Sequence, residues 1–350
     1  MLSPMRNWRA PDHWRRITTL DLHTGGEPFR VITGGWPELS GGTILARRQE
    51  MKGRWDDLRT ALMWEPRGHA DMYGCIVTPP VSADADFGVL FLHNEGYSSM
   101  CGHGIIAITT AALETGLIPC RERETTVRID APAGLITAHA RIEEGRVAGV
   151  RFENVPSFVV ELDAEATVPG YGTITYDLAY GGAFYAYVDV TALGLTTTPA
   201  DVDALIAAGR AIKKAVTAAR EIPHPFEADL SFLYGAIFVG PPHETQAGAA
   251  PAHSANVCIF AEGEVDRSPT GTGVSGRLAI HHARGELGLD QPIIVESILG
   301  TRFTGRILEA TTFGPHPAII PEVSGRAFIT GRHEFLIDPE DPLKKGFIFR

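Results

Sequence analysis

Apolar and polar residues alternate over residues 17–22, the pattern of a half-buried strand. A turn, His23-Thr24-Gly25-Gly26-Glu27-Pro28, leads into a second predicted strand at 29–33. Over 46–64 the period changes. Charges fall on one face and Leu58, Leu62 and Met63 on the other, which predicts a helix ended by Pro66. A polar loop over 67–74 feeds a strand at 75–78, and another follows at 87–92. Asn94-Glu95-Gly96 then turns the chain toward a run that is apolar almost all round from Ile105 to Leu117, as for a helix buried inside a curved sheet. Strands are predicted at 126–130, 135–142 and 147–152, punctuated by Gly134, Gly145 and Pro156.

From about Ser157 the order repeats. Strands are predicted at 158–162, 173–178 and 184–190, then an outer helix at 201–220 with Val202, Leu205, Ile206, Ile212 and Val216 at helical spacing. Strands at 231–239 and 256–261 precede a helix opening at Thr270, and strands at 293–297, 302–309 and 327–329 follow. The two late helices open alike. Ser99-Met100-Cys101-Gly102-His103-Gly104 lies on Ser268-Pro269-Thr270-Gly271-Thr272-Gly273, and Gly116 lies on Gly285, each at the C-cap position. Two similar halves are expected, each presenting a helix N-terminus. Such N-termini carry unpaired N–H groups and partial positive charge, so they suit a carboxylate.

Composition narrows the function. A chain of 350 residues has room for two cores, and a formal net charge of −11 with no basic run argues against nucleic acid or an anionic membrane as partner. No apolar run approaches the ~20 residues needed to span a bilayer. Residues 1–19 carry Arg6, Arg9, Arg15 and Arg16 without an apolar region, unlike a secretory signal. Cys75, Cys101, Cys120 and Cys258 are far apart and lack metal-ligand spacing, which suggests a reducing cytoplasm. Cys75 and Cys258, each inside an apolar run, are expected to be buried small hydrophobes. No cluster of His, Asp or Glu suggests a metal.

Gly271-Thr272-Gly273-Val274-Ser275-Gly276 matches the dinucleotide fingerprint literally, with Glu296 about 20 residues on. That fingerprint needs a buried strand running straight into the first glycine. Here the charged, proline-broken stretch 262–269 intervenes. Cys101 has a stronger case. A free thiol has a pKa of about 8.5, and a helix N-terminus lowers it, making a nucleophile or base. The plain alternative is a structural cysteine in a cap. His103 reads as a substrate hydrogen-bond partner or a first-turn polar residue, and Asp266 as a functional carboxylate or a turn residue.

Met100-Cys101-Gly102-His103-Gly104 and Asp266-Arg267-Ser268-Pro269-Thr270-Gly271-Thr272-Gly273 resemble the two signature motifs of the proline racemase family. The resemblance extends to the turn over 23–28, to Pro66-Arg67-Gly68-His69, and to the order of elements over nearly the whole chain. It implies an α/β (α+β) fold of diaminopimelate-epimerase type. In that fold two pseudo-symmetric halves, each a curved sheet or barrel around a central helix, flank the site. The implied division is 1–156 with 332–350, and 157–331. In the racemases and epimerases of the family both helix tips carry cysteine, one for each face of Cα. Here the second is Thr270, whose hydroxyl is not a useful base near neutral pH. The Cys/Thr arrangement is similar to the trans-3-hydroxy-L-proline dehydratases of that family. It implies Cys101 as the base at Cα and Thr270 as a hydrogen-bonding partner. The resemblance further implies that Gly102, His103, Gly271 and Thr272 bind the carboxylate, that Asp266 pairs with the ring ammonium, and that Tyr73 and Phe260 wall the ring. It implies a hydroxyproline-type imino acid as substrate, no cofactor and a homodimer. The rivals are a hydroxyproline or proline epimerase and a silent amino-acid-binding protein.

Overall fold

The alternating stretches become strands of one connected sheet. The structure, a computed structural model, describes residues 2–121, 123–243 and 250–349. Met1 and Arg350, the outer limits of the expected first half, lie outside the described residues. A short helix α1 (Ser3–Asn7) precedes β1 (Arg15–Thr24), β2 (Glu27–Gly34), α2 (Ile44–Glu50), α3 (Asp56–Met63), β3 (Tyr73–Thr78), β4 (Phe87–His93) and β5 (Gly96–Ser98). Then come α4 (Gly102–Glu114), β6 (Glu124–Ala131), β7 (Gly134–Glu143) and β8 (Arg146–Glu153). The second series is β9 (Ser157–Val168), β10 (Gly172–Tyr180), β11 (Phe184–Asp189), α5 (Val202–Ala219), β12 (Leu233–Gly240), β13 (Ser254–Phe260) and β14 (Glu264–Val265). It continues with α6 (Gly271–Ala283), β15 (Ile293–Glu296), β16 (Arg302–Phe313), β17 (His316–Gly325) and β18 (Ala327–Ile337).

Pairing makes the internal repeat explicit. From β1 the order runs antiparallel to β2, parallel to β3, antiparallel to β4, parallel to β6, then antiparallel to β7 and β8. From β10 it runs antiparallel to β11, parallel to β12, antiparallel to β13, parallel to β15, then antiparallel to β16 and β17. The two series agree step for step, with α2–α3 and α5 in one equivalent slot and α4 and α6 in the other. β9 pairs with both β10 and β17 and closes the second ring. β18 pairs with β1 from Ala327 onward, and β8 pairs with β17, which stitches the two halves together.

Each ring wraps its late helix. In α4 every residue from Gly102 to Leu113 is buried, against β1, β2, β7, β8, β17 and β18. Ile105, Ile106 and Ile108 are at most 1% exposed, and each contributes about 1.5–3 kcal/mol relative to exposure. α6 is enclosed by β9, β10, β16 and β17. The outer helix α5 buries Leu205, Ile212 and Val216 of the predicted stripe together with Ala208 and Gly209, while Val202 and Ile206 are half-buried at its margin.

Several predicted elements change shape. The helix expected over 46–64 starts earlier, at an N-cap Thr43 whose hydroxyl accepts from Ala46 N at 3.1 Å. It is interrupted by a π turn, Met51–Trp55, that contains Gly53, and it ends at Met63 ahead of Pro66. β9 runs on to Val168 because Asp163 takes a left-handed conformation (φ 53°) and lets the strand resume after a register shift. β17 falls where no strand is predicted, since Pro317 and Pro321 sit inside it. β18 continues through Gly331 to Ile337 with mostly exposed side chains, so alternation ends before pairing does.

Candidate active site

The two buried helices meet at their N-terminal glycines. A Cβ on Gly102 would lie 2.6 Å from the Gly271 Cα, and one on Gly271 would lie 2.8 Å from the Gly102 Cα. Only hydrogen fits at either position, which is why both openings carry glycine after the cap residue. Two positive helix ends therefore converge on one cavity, with first-turn amides that the helices cannot satisfy internally. The cavity is small and lies between the two helix tips. Its lining contains every residue singled out from the sequence: Cys101, Thr270, Gly102, His103, Asp266, Gly271, Thr272, Tyr73 and Phe260.

The caps differ. Cys101 has extended backbone, and its Sγ accepts from Gly104 N at 3.2 Å and lies 3.3 Å from His103 Nδ1. Thr270 holds φ 64°, ψ 94°, a strained conformation for a β-branched residue. Its hydroxyl faces the Asp266 carboxylate and the Cys258 thiol without closing a well-aligned hydrogen bond to either. Both side chains are buried, each 4% exposed.

Burial governs the charges. It pushes the Cys101 thiol well above its ordinary value, against the Gly104 N–H, and the Asp266 charge pushes the same way. The expectation that the helix end leaves a low-pKa thiol is thus reversed: desolvation of the thiolate by burial outweighs the local donor. His103 is lowered to about 3 by burial and is a neutral imidazole. Asp266, raised by burial against hydrogen bonds from Ser268, sits at about 6. Behind it the fully buried Glu27 is raised well above the ordinary carboxylate value, first by burial and then by Asp266. Glu27 accepts from Arg267 N at 2.7 Å, and its other oxygen has no partner among the described residues. It holds the loop that carries Asp266.

The cavity also contains residues the sequence reading did not place there: Met100, Tyr185, Tyr234 and Cys258. Cys258 is buried in the core as expected, and it also lines the cavity. Tyr185 donates or accepts at 2.7 Å with the Thr272 hydroxyl. Tyr234 stacks on Phe260 with centroids 5.3 Å apart. One signal for Tyr234 was present: Tyr73-Gly74-Cys75-Ile76 recurs as Tyr234-Gly235-Ala236-Ile237 at equivalent strands. Among the described residues no group of His, Cys, Asp and Glu is arranged to hold a metal, and no helix is long and apolar enough to cross a membrane. The arrangement can hold a small carboxylate between two helix ends, set a thiol against one face of it, and place a carboxylate beside a cationic nitrogen.

Comparison with known proteins gives a consistent picture. The sequence pattern of the family described as Proline racemase matches residues 19–348. A trans-3-hydroxy-L-proline dehydratase of Colwellia psychrerythraea is 50% identical over 334 residues, covering 95% of this chain and 93% of its own. A 3-hydroxyproline 2-epimerase of Burkholderia multivorans is 47% identical over 336 residues, covering 96% and 99%. The crystal structure of a hydroxyproline epimerase from Agrobacterium vitis, with trans-4-hydroxy-L-proline bound, has a TM-score of 0.88 at 35% identity and covers 96% of both chains.

Proposed function

Because the chain belongs to the proline racemase family, we propose that it removes water from trans-3-hydroxy-L-proline to give Δ1-pyrroline-2-carboxylate. The observation that carries this reading is the unlike pair of caps: a thiol at the tip of α4 and a threonine hydroxyl at the tip of α6, facing one cavity. One thiol at the helix tips suffices for elimination. In this substrate the Cα hydrogen and the 3-hydroxyl share a ring face, so loss of water is syn and is served from one side. The carboxylate lies between Gly102, His103, Gly271 and Thr272, whose amides stabilise the charge that grows there as Cα is deprotonated. The ring ammonium pairs with Asp266, and its positive charge, brought next to Cys101, offsets the burial that raises the thiol. Cys101 takes the Cα proton, the hydroxyl leaves as water, and the resulting enamine tautomerises to the pyrroline. Tyr73 and Phe260 exclude water from the ring.

The test is product analysis in D2O with trans-3-hydroxy-L-proline, L-proline and trans-4-hydroxy-L-proline. Pyrroline from the first alone is the expected result. Inverted product with deuterium at Cα from either of the others selects an epimerase instead, a reading that the Cys258 thiol beside Thr270 favours. Ligand binding without turnover of any of the three overturns both.

A pH dependence follows from Asp266. Its carboxylate is charged only above about pH 6 in the unliganded protein. As pH falls through that value the partner of the ring ammonium is neutralised, so kcat/KM drops, approaching about tenfold per pH unit. Asp266→Asn is expected to lower kcat/KM at pH 8 and to remove the extra fall below about pH 6, leaving only the slope that the raised Cys101 thiol imposes on both proteins, read from kcat/KM profiles between pH 5 and 8. The four unpaired thiols suit a cytoplasmic location, and the family implies a homodimer, which light scattering checks.

A further inference from the structure

The dehydratase reading leaves one proton unassigned: the one that converts the departing hydroxyl into water. Hydroxide is a poor leaving group, so an acid must stand near C3, on the same ring face as Cys101. Two phenols of the cavity lining share a hydrogen-bonded cluster with one serine hydroxyl. Tyr73 and Tyr234 occupy equivalent places in the two halves, and their oxygens are 3.4 Å apart. Ser98, three residues before Cys101, lies between them, hydrogen-bonded to Tyr73 and 2.7 Å from the Tyr234 oxygen. All three side chains are buried. The Tyr73 ring stands edge-on to His103 with centroids 4.8 Å apart, and its hydroxyl faces the Cys101 thiol. Of the phenols in the lining, it is the one with a side-chain hydrogen-bonding interaction with Cys101, and its oxygen also meets the Ser98 and Tyr234 hydroxyls.

We propose that the Tyr73 hydroxyl protonates the leaving 3-hydroxyl, with Ser98 and Tyr234 as positioning residues that donate toward the Tyr73 oxygen as it loses its proton. This rests on the dehydratase reading and deepens it. The protons balance within the site. The Cys101 thiolate takes the Cα proton and becomes a thiol. The Cα electron pair forms the C2–C3 double bond as the C3–O bond breaks. The oxygen leaves with the Tyr73 proton as water, and Tyr73 becomes a phenolate. The Cys101 thiol then passes its proton to that phenolate, which restores thiolate and phenol for the next turnover. Burial keeps the phenol protonated in the resting protein, as an acid requires. The Ser98–Tyr234 relay gives the developing phenolate hydrogen bonds that water would otherwise supply.

Tyr73→Phe keeps the aromatic wall and removes only the oxygen. Wild-type protein is first assayed with trans-3-hydroxy-L-proline; absence of pyrroline overturns the dehydratase reading and this proposal with it. Given wild-type dehydration, Tyr73→Phe is expected to lower kcat about 100-fold, within the range of a general acid, with little change in KM. Cα deprotonation then becomes reversible, so substrate recovered from D2O carries deuterium at Cα in the variant and not in the wild type. trans-3-Chloro-L-proline, whose chloride departs without a proton, is expected to be turned over by both proteins at rates within about threefold of one another. Ser98→Ala and Tyr234→Phe are expected to show smaller kcat losses of about tenfold with the same deuterium signature. Dehydration by Tyr73→Phe within threefold of wild type overturns the proposal. So does an equal loss with the chloro compound and no deuterium uptake, which assigns Tyr73 to the shape of the site.

Discussion

Cys101→Ser is expected to lose at least 1,000-fold in turnover of trans-3-hydroxy-L-proline while its melting temperature stays within about 3 °C of wild type. The two outcomes separate because the thiol has two jobs. As a cap, Sγ accepts from Gly104 N, and a serine oxygen in the same place is among the best residues for that task. As a base, Sγ must exist as an anion beside Cα. Even with burial against it a thiol remains several units more acidic than an alcohol, so serine has no accessible base form. Binding of a planar mimic such as pyrrole-2-carboxylate is expected to survive, since carboxylate recognition belongs to the helix amides. Stopped-time assays, calorimetric binding and thermal melts check the three statements. Retention of most turnover shows the base to be another group.

Gly102→Ala is expected to cost about 1–3 kcal/mol of stability and about 1,000-fold in kcat, although alanine favours helices over glycine. The added methyl meets the Gly271 Cα at 2.6 Å and the Phe152 ring at 3.1 Å. Backbone cannot rotate away as a flexible side chain can, so one helix tip must retreat. That retreat moves the carboxylate donors and Cys101 relative to Cα, and misplacements of about 1 Å cost about 100-fold before any donor is lost. Gly42→Ala, at a position with nothing within 4 Å, is the control and is expected to be silent. Denaturant unfolding and steady-state kinetics read both effects. Wild-type activity in Gly102→Ala shows that the helix tips tolerate separation.

The contrast between legible and hidden features has a physical origin. The two helix openings could be read because capping and close approach are local demands. A cap residue, a glycine, a polar residue and a second glycine must follow one another in sequence, and here they do so twice. Tyr73, Phe260 and Asp266 came through resemblance in motif and order, and all three reach the cavity. Cys258 was hidden because it arrives from a strand position whose facing side is fixed by pairing with other strands; Tyr234 left only the repeat of Tyr73-Gly74 as a sign, and Ser98 comes from a short hairpin strand with no signal of its own. β17 was hidden by Pro317 and Pro321, which remove two donors that its pairing geometry does not require. The acidity of Cys101 went the other way from the local rule, because burial of the thiol is a property of the assembled molecule.

The pairing of β18 with β1 also bears on how the chain is made. The second ring can form once residue 325 has emerged, since β9 to β17 supply all its edges. β1 must wait for residues 327–337, more than 300 positions later, before its outer edge is paired. Throughout synthesis that edge is an open template for foreign strands, and contacts of such long sequence separation form slowly. The half that bears Cys101 therefore gains its last strand only after the segment carrying Asp266 and Thr270 has been synthesised.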